Sequence, residues 1–428
     1  MAPPRKLLYC SFCGINEYGT PALITGTGTA ICADCARAGL AALTRLQRPA
    51  EALTEVTPVR LVQRLDEHVI AQTAAKRTLS IAVYNHFKRI GRESTVRLAK
   101  SNILLIGESG TGKTLLAETL ARTLKVPFVV ADVTSITQAG YAGEDVESIF
   151  RRLLSAADGD LAAAQRGIVF LDEVDKLARR EGGGMDVSGE GVQQSLLKVL
   201  EGSVVALDGR PGDQAAPGAE PRRMDTTDIL FVAGGAFVGL DDLTADRKKA
   251  GGFGFGAQSP NAQATPGPEA ADLIGFGLLP EFVGRFPVTV RLEPLGVTEL
   301  RRILTEPVDS LVRQYEELFR LDGHVLELAD DALTAIADQA HTRETGARGL
   351  RSVLETVLAD LMYRSPDLEP GQLLRVHAPD VTAALAGPPP QPHTLVADAP
   401  ADRVDGHAER VAERPRRTIQ AASPTRPA

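Results

Sequence analysis

Two groups of residues in this chain have types and spacings that point to chemistry. Cys10-Ser-Phe-Cys13 and Cys32-Ala-Asp-Cys35 are two C-x-x-C pairs, and they contain all four cysteines of the 428-residue sequence. Zinc takes four soft ligands in a tetrahedron, and each C-x-x-C turn offers two thiolates. The 18 residues between Cys13 and Cys32 fall within the spacing of paired zinc knuckles. Two disulfides are the alternative, which a reducing compartment disfavours. With every position filled by protein the metal is structural, not catalytic. So short a unit cannot hold itself together by apolar burial, whereas structural zinc supplies about 10–16 kcal/mol in peptides of this size. Its apolar residues Leu7, Leu8, Tyr9, Phe12, Leu23 and Ile24 exceed what so small a core needs. The expectation is a docking module that pairs with its own copy or binds partners.

The second group is Gly107-Glu108-Ser109-Gly110-Thr111-Gly112-Lys113-Thr114, followed by Leu115. A G-x-x-x-x-G-K-T run between a strand and a helix cradles phosphates on its backbone N–H groups and on the helix N-terminus. Lys113 is expected to neutralise the β and γ phosphates of ATP, and the Thr114 hydroxyl to ligate Mg2+. Downstream, Ile168-Val-Phe-Leu-Asp172-Glu173 is an apolar strand ending in two carboxylates. Asp172 is expected to hold Mg2+ through water, and Glu173 to orient and polarise the attacking water.

These residues need elements to position them. Ile103–Ile106, a short apolar run ended by glycine, reads as a buried parallel strand. Leu115–Leu124 reads as a helix, and Pro127–Ala131, Gly167–Leu171 and Asp228–Val232 as further strands. Alternating strand and helix implies a doubly wound sheet. Residues 59–92 read as helical ahead of it. After Leu292 the pattern turns helical over Glu299–Phe319, Ala332–Arg343 and Leu350–Tyr363, interrupted by a strand-like Val325–Leu328. The expected fold class is thus α/β: a zinc module (1–45), a linker (46–58), a P-loop ATPase domain (59–291), a small helical domain (292–386) and a disordered tail (387–428). Three glycine- or proline-rich breaks fall at Gly182–Gly184, Asp208–Arg223 and Ala250–Pro268. The net charge of −8 counts against a dedicated nucleic-acid binder. No apolar run is long enough to span a membrane, and no signal peptide opens the chain, so a cytoplasmic location is expected.

Taken in order, the motifs resemble the ClpX family of AAA+ protein unfoldases over residues 5–385. They are the four cysteines, Gly107–Thr114, Gly140-Tyr-Ala-Gly-Glu-Asp145, Asp172-Glu-Val-Asp-Lys176, Val187-Ser-Gly-Glu-Gly-Val-Gln-Gln194, Leu279-Pro-Glu-Phe-Val-Gly-Arg285 and Thr345-Gly-Ala-Arg-Gly-Leu-Arg351. The resemblance implies a homohexamer with ATP at the subunit boundaries, threading unfolded or tagged proteins through its pore into a ClpP-type peptidase. It implies that Arg285 is an arginine finger toward the neighbour's γ-phosphate; the residue-level alternative is a surface pair with Glu281. It implies that Arg348 is a second nucleotide sensor, with a solvated helix-start pair as the alternative. By the same match Tyr141, followed by Ala142, grips substrate in the pore, and Gly189–Gln194 carries a second pore loop and its helix. Phe253-Gly254-Phe255 stands where the family carries its peptidase-docking loop. Val69-Ile70-Ala71-Gln72 matches the adenine-side motif, with Ala71 in place of glycine. The family's basic tripeptide at the pore entrance is missing. The resemblance further implies that the zinc module receives substrates and adaptors. A nucleic-acid-remodelling ATPase is the alternative function; no peptidase site is found in the chain.

Overall fold

The computed structural model of the chain describes residues 8–16, 22–46, 56–91, 95–96, 98–136, 145–179, 189–207, 222–250 and 268–387. The expectations for Tyr141 and Ala142, for Phe253, Gly254 and Phe255, for the Gly182–Gly184 loop and for the tail beyond Gly387 lie outside the described residues.

The N-terminal segment holds an antiparallel hairpin, β1 (Leu23–Gly26) and β2 (Thr29–Cys32), followed by helix α1 (Ala33–Leu46). Then come α2 (Pro58–Asp66) and α3 (Thr73–Gly91). The sequence pattern predicts continuous helix here. The chain breaks instead at Ala71 and Gln72, whose φ angles of +55° and +59° cannot propagate a right-handed helix.

The central sheet is built from β3 (Ile103–Ile106), β4 (Phe128–Asp132), β5 (Ile168–Asp172), β8 (Leu230–Gly235) and β9 (Val288–Arg291). Its five strands run in the order β4-β5-β8-β3-β9, and every pairing is parallel. β3 and β8 are buried along their whole lengths, which is why their residues are continuously apolar rather than alternating. Around the sheet run α4 (Lys113–Leu124), α5 (Val146–Ala156), α6 (Leu161–Ala164), α7 (Gly189–Glu201), α8 (Leu240–Ala250), α9 (Ala270–Phe276) and α10 (Pro280–Val283). Leu104, Ile149, Phe150, Phe231 and Leu196 anchor one core within this unit. A small hairpin, β6 (Val204–Ala206) with β7 (Arg223–Asp225), brackets the Asp208–Arg223 stretch, and Arg223 itself lies in a strand.

A second compact unit comprises residues 293 onward together with the short segments 67–71 and 108–112. It holds α11 (Val297–Thr305), α12 (Leu311–Leu321), β10 (Val325–Leu328), α13 (Asp330–Thr342), α14 (Ala347–Arg364), β11 (Leu373–Val376) and α15 (Ala378–Ala386). The helix expected over Glu299–Phe319 is two helices, because Pro307 lacks the N–H that continuation requires. β10 and β11 pair in parallel, from Val325 opposite Leu373 to Leu328 opposite Val376. Leu300, Phe319, Ile336, Val353, Leu354 and Leu358 form this unit's own core.

Candidate functional site

The cysteine cluster is assembled by two turns. Tyr9 bridges Asn16, the Cys10 N–H donates to Ile15 O at 2.8 Å, and Gly14 turns the chain at φ +75°. This knuckle leans on the second one through the Ser11 N–H, which donates to Ala30 O at 2.7 Å. All four ligand atoms lie within 4.8 Å of one another, and Cys13 Sγ is 3.7 Å from Cys32 Sγ. A tetrahedron with Zn–S bonds of about 2.3 Å places its sulfurs about 3.8 Å apart, so the cluster fits the ion. The four cysteines are free thiols rather than disulfides. Backbone N–H groups of Cys13 and Cys32 hold the Cys10 thiol down at about 6, whereas bonds to the Cys13 and Cys32 thiols push Cys35 up to about 12. Such crowding favours a divalent cation that takes the protons' place. Leu8, Tyr9, Phe12 and Ile24 are exposed around the cluster, Phe12 by 78%.

The phosphate loop leaves the carboxyl end of β3. The Gly107 N–H donates to Gly235 O at 3.2 Å, and Lys113, at the start of α4, donates from Nζ to Gly107 O at 2.5 Å. Gly110 and Gly112 have φ angles of +78° and +99°, and a Cβ on Gly112 would meet only open space. This is the concave, glycine-lined backbone that a polyphosphate needs. Lys113 is buried, Thr114 half-buried and Leu115 exposed. Glu108 and Ser109 are exposed at the loop's crest, where Thr111 closes it through Oγ1 onto Glu108 O at 2.8 Å. In the second unit, the Ala347 N–H donates to Gly110 O at 3.2 Å. Gly346, at φ +56°, packs so closely on the same loop that a Cβ there would stand 2.7 Å from Ser109 O. Arg348 follows at the second residue of α14, exposed. Val69 and Ile70 are both buried.

The two carboxylates lie at the carboxyl end of β5. Asp172 is half-buried and accepts the Glu173 N–H at 3.0 Å. Glu173 is exposed and sits in the left-handed region, φ +61°, at the head of a single 3-10 turn over Val174–Leu177. Asp175 in that turn is buried, and its Oδ1 accepts the Ala236 N–H at 3.2 Å, fastening the turn to the end of β8. Across the sheet Leu171 is level with Ala233 and Ile106 with Gly235, so the loop and the carboxylates leave strands that end at one height. Two strand spacings separate them, about 10 Å. Parallel sheets bind ligands at this edge.

Arg285 is exposed just beyond α10, and its guanidinium pairs with Glu201 at the end of α7, not with Glu281. Its carbonyl accepts from Asn102 Nδ2 at 3.0 Å. The sequence reading did not single out Glu201, Asn102 or Asp175; their relation to the site exists only in three dimensions.

Comparison with known proteins gives three family matches in chain order. Residues 8–43 match the model of the ClpX C4-type zinc finger, residues 98–289 that of the AAA domain (Cdc48 subfamily), and residues 295–369 that of the C-terminal, D2-small domain of ClpB protein. The chain is 49% identical over 383 residues to the ATP-dependent Clp protease ATP-binding subunit ClpX of Azotobacter vinelandii, which covers 83% of this chain and 86% of that relative.

Proposed function

The chain belongs to the ClpX family of AAA+ ATPases, and from that premise we propose that it forms a homohexamer that unfolds proteins and feeds them to a ClpP-type peptidase. The chain is an ATPase, with ATP and Mg2+ at its phosphate loop and structural Zn2+ in its N-terminal cluster. The observation that supports the reading of the site best is the shared height of the phosphate loop and the Asp172–Glu173 pair at one edge of a parallel sheet.

In this reading Gly107–Thr114 wraps the phosphates. Lys113 transfers its donor from the Gly107 carbonyl to phosphate oxygens, Thr114 and Asp172 face Mg2+, and Glu173 aligns water. Bound ATP would supply the free energy through hydrolysis of its β–γ phosphoanhydride, water taking the γ-phosphoryl group and ADP leaving. Arg285 leaves Glu201 to meet the phosphate of a neighbouring copy, and Arg348 reports the same nucleotide that its own subunit holds. Val69 and Ile70 present backbone groups to the base. Tyr141 and Ala142 pull on the substrate chain, and Phe253, Gly254 and Phe255 dock the peptidase. The exposed apolar residues of the zinc module take substrates, adaptors or a second module. No helix among the described residues is long and apolar enough to cross a membrane, in keeping with work in the cytoplasm.

One experiment tests the reading: ATP-dependent loss of a tagged fluorescent reporter with a ClpP-type peptidase present. Glu173→Gln is expected to bind ATP and lower hydrolysis by about 10²-fold or more, stopping reporter loss. Phe255→Ala is expected to keep ATPase activity and lose degradation. ATP turnover stimulated by nucleic acid but not by unfolded protein would overturn the proposal.

A further inference from the structure

Gln193, in the second turn of α7, is wholly buried at 0% exposure. Its neighbours on that helix, Val192, Leu196, Val199 and Leu200, are buried aliphatic residues, so packing alone asks for no amide here. The amide makes two bonds, both to backbone. Its nitrogen donates to Leu177 O at 2.8 Å, and its oxygen accepts the Leu279 N–H at 2.9 Å. Leu177 closes the turn that Glu173 opens. Leu279 caps α10, the helix that runs directly into Arg285. One side chain therefore spans the backbones that carry the two groups assigned to hydrolysis on opposite sides of a subunit boundary.

The rest of α7 repeats the pattern. Near its start Glu190 accepts from Arg179 Nε at 3.0 Å, just past the same turn. At its end Asn102 donates to Leu200 O at 3.5 Å and to Arg285 O at 3.0 Å, and Glu201 holds the Arg285 guanidinium. A 13-residue helix is a stiff rod about 20 Å long. It is bonded to the carboxylate turn at one end, to the arginine at the other, and to both by Gln193.

We propose that Gln193 is a positioning residue that sets Glu173 and Arg285 together from α7, so that a displacement at the pore-side end of this helix reaches both groups in one subunit. The inference rests on the reading of Glu173, Arg285 and the first turns of α7 given above, and goes beyond it in naming the coupling element. Removing the amide leaves a buried carbonyl and a half-buried N–H without their Gln193 bonds, and the two backbones are then free to move independently.

The test uses the full chain with ATP, with and without a reduced, carboxymethylated protein as permanently unfolded stimulant. Gln193→Met preserves length and apolar packing. It is expected to lower kcat for ATP by about tenfold with KM nearly unchanged, and to abolish stimulation by the unfolded protein. A glutamine of merely structural importance would lower the melting temperature and leave the stimulation ratio intact. Gln193→Glu is the second variant. Protonated, its carboxyl donates to Leu177 O and accepts from Leu279 N as the amide does; ionised, it cannot donate. Its stimulation ratio is therefore expected to recover on acidification and to fall as pH rises, against the wild-type ratio at each pH. Should Gln193→Met fail to fold, this profile decides. Normal stimulation in Gln193→Met, or a Gln193→Glu ratio that tracks wild type at every pH, overturns the inference. Glu173→Gln and Arg285→Ala run beside them: if these two hydrolyse ATP normally, the site assignment itself has failed; if they are inactive while Gln193→Met is normal, only the coupling role has.

Discussion

At the scale of single residues, Glu173 is held at an energetic disadvantage. A glutamate in the left-handed region costs on the order of 1–3 kcal/mol, and the structure keeps Glu173 there by fastening Asp175 to Ala236. His86 shows the same economy in the electrostatics of the core. It is buried in α3 with Nε2 3.1 Å from Asp228 O, and burial first, then the charge of Arg89, pushes it down to about 3. Unfolded, a histidine titrates near 6.5. Below that pH the unfolded chain gains a proton that the folded chain refuses, so stability falls as pH falls toward about 3. The slope is about 1.4 kcal/mol per pH unit for one proton. Lys100 nearby, pushed down to about 7 mainly by burial, is protonated in both states below that value and adds nothing to this slope. His86→Gln retains an N–H at the Nε2 position without a titrating ring. Urea melts of the sheet-containing unit between pH 6 and pH 4.5 are expected to lose about one proton's worth of pH dependence in the variant; equal slopes would refute the account. Among residues, cysteines and the phosphate loop were legible because type and spacing alone state their chemistry. Gln193 was not, because a bridging amide and a solvated one look the same in a sequence.

At the scale of elements, legibility followed the unbroken apolar run. Ile103–Ile106 announces itself because β3 lies mid-sheet and is apolar throughout. Val288–Arg291 went unrecognised because its apolar residues alternate with Thr289 and Arg291, whereas β4, the other edge strand and equally with one buried residue, carries the unbroken apolar run Phe128–Ala131. The Gly110–Gly346 approach was unreadable for another reason: two glycines far apart in sequence carry no sign that they touch. Where the helical pattern over 59–92 misled, the cause is local backbone geometry at Ala71. An L-residue at φ +55° costs about 1–2 kcal/mol, of which glycine would return part after its own larger chain entropy is counted. Ala71→Gly is accordingly expected to stabilise the fold by about 0.5–1 kcal/mol, read as a rise in the urea midpoint. An unchanged or lower midpoint would show that the turn is not strained.

At the scale of the whole molecule, the chain is a set of parts with separate sources of stability. The sheet unit and the helical unit each have their own core. The N-terminal segment has almost none, with Cys10, Ala30 and Cys32 its buried apolar residues among those described. Metal ligation must therefore carry it. Zinc chelation is expected to open residues 8–46 to protease while ATP turnover and both other units persist, monitored by cleavage pattern and ATPase rate together. Cooperative loss of all three would contradict this division. The grouping of residues 108–112 with the helical unit was not legible in the sequence, because it depends on the Ala347–Gly110 contact. The parallel ribbon of β10 and β11 bears on how the molecule is made. As the polypeptide emerges from the ribosome, Val325–Leu328 appears well before its partner, and all of α13 and α14 must follow before Leu373–Val376 can join it. Until then Leu326 and the helices around it have no finished surface to close on, so a nascent chain stalled short of Leu373 exposes apolar surface that the full chain buries.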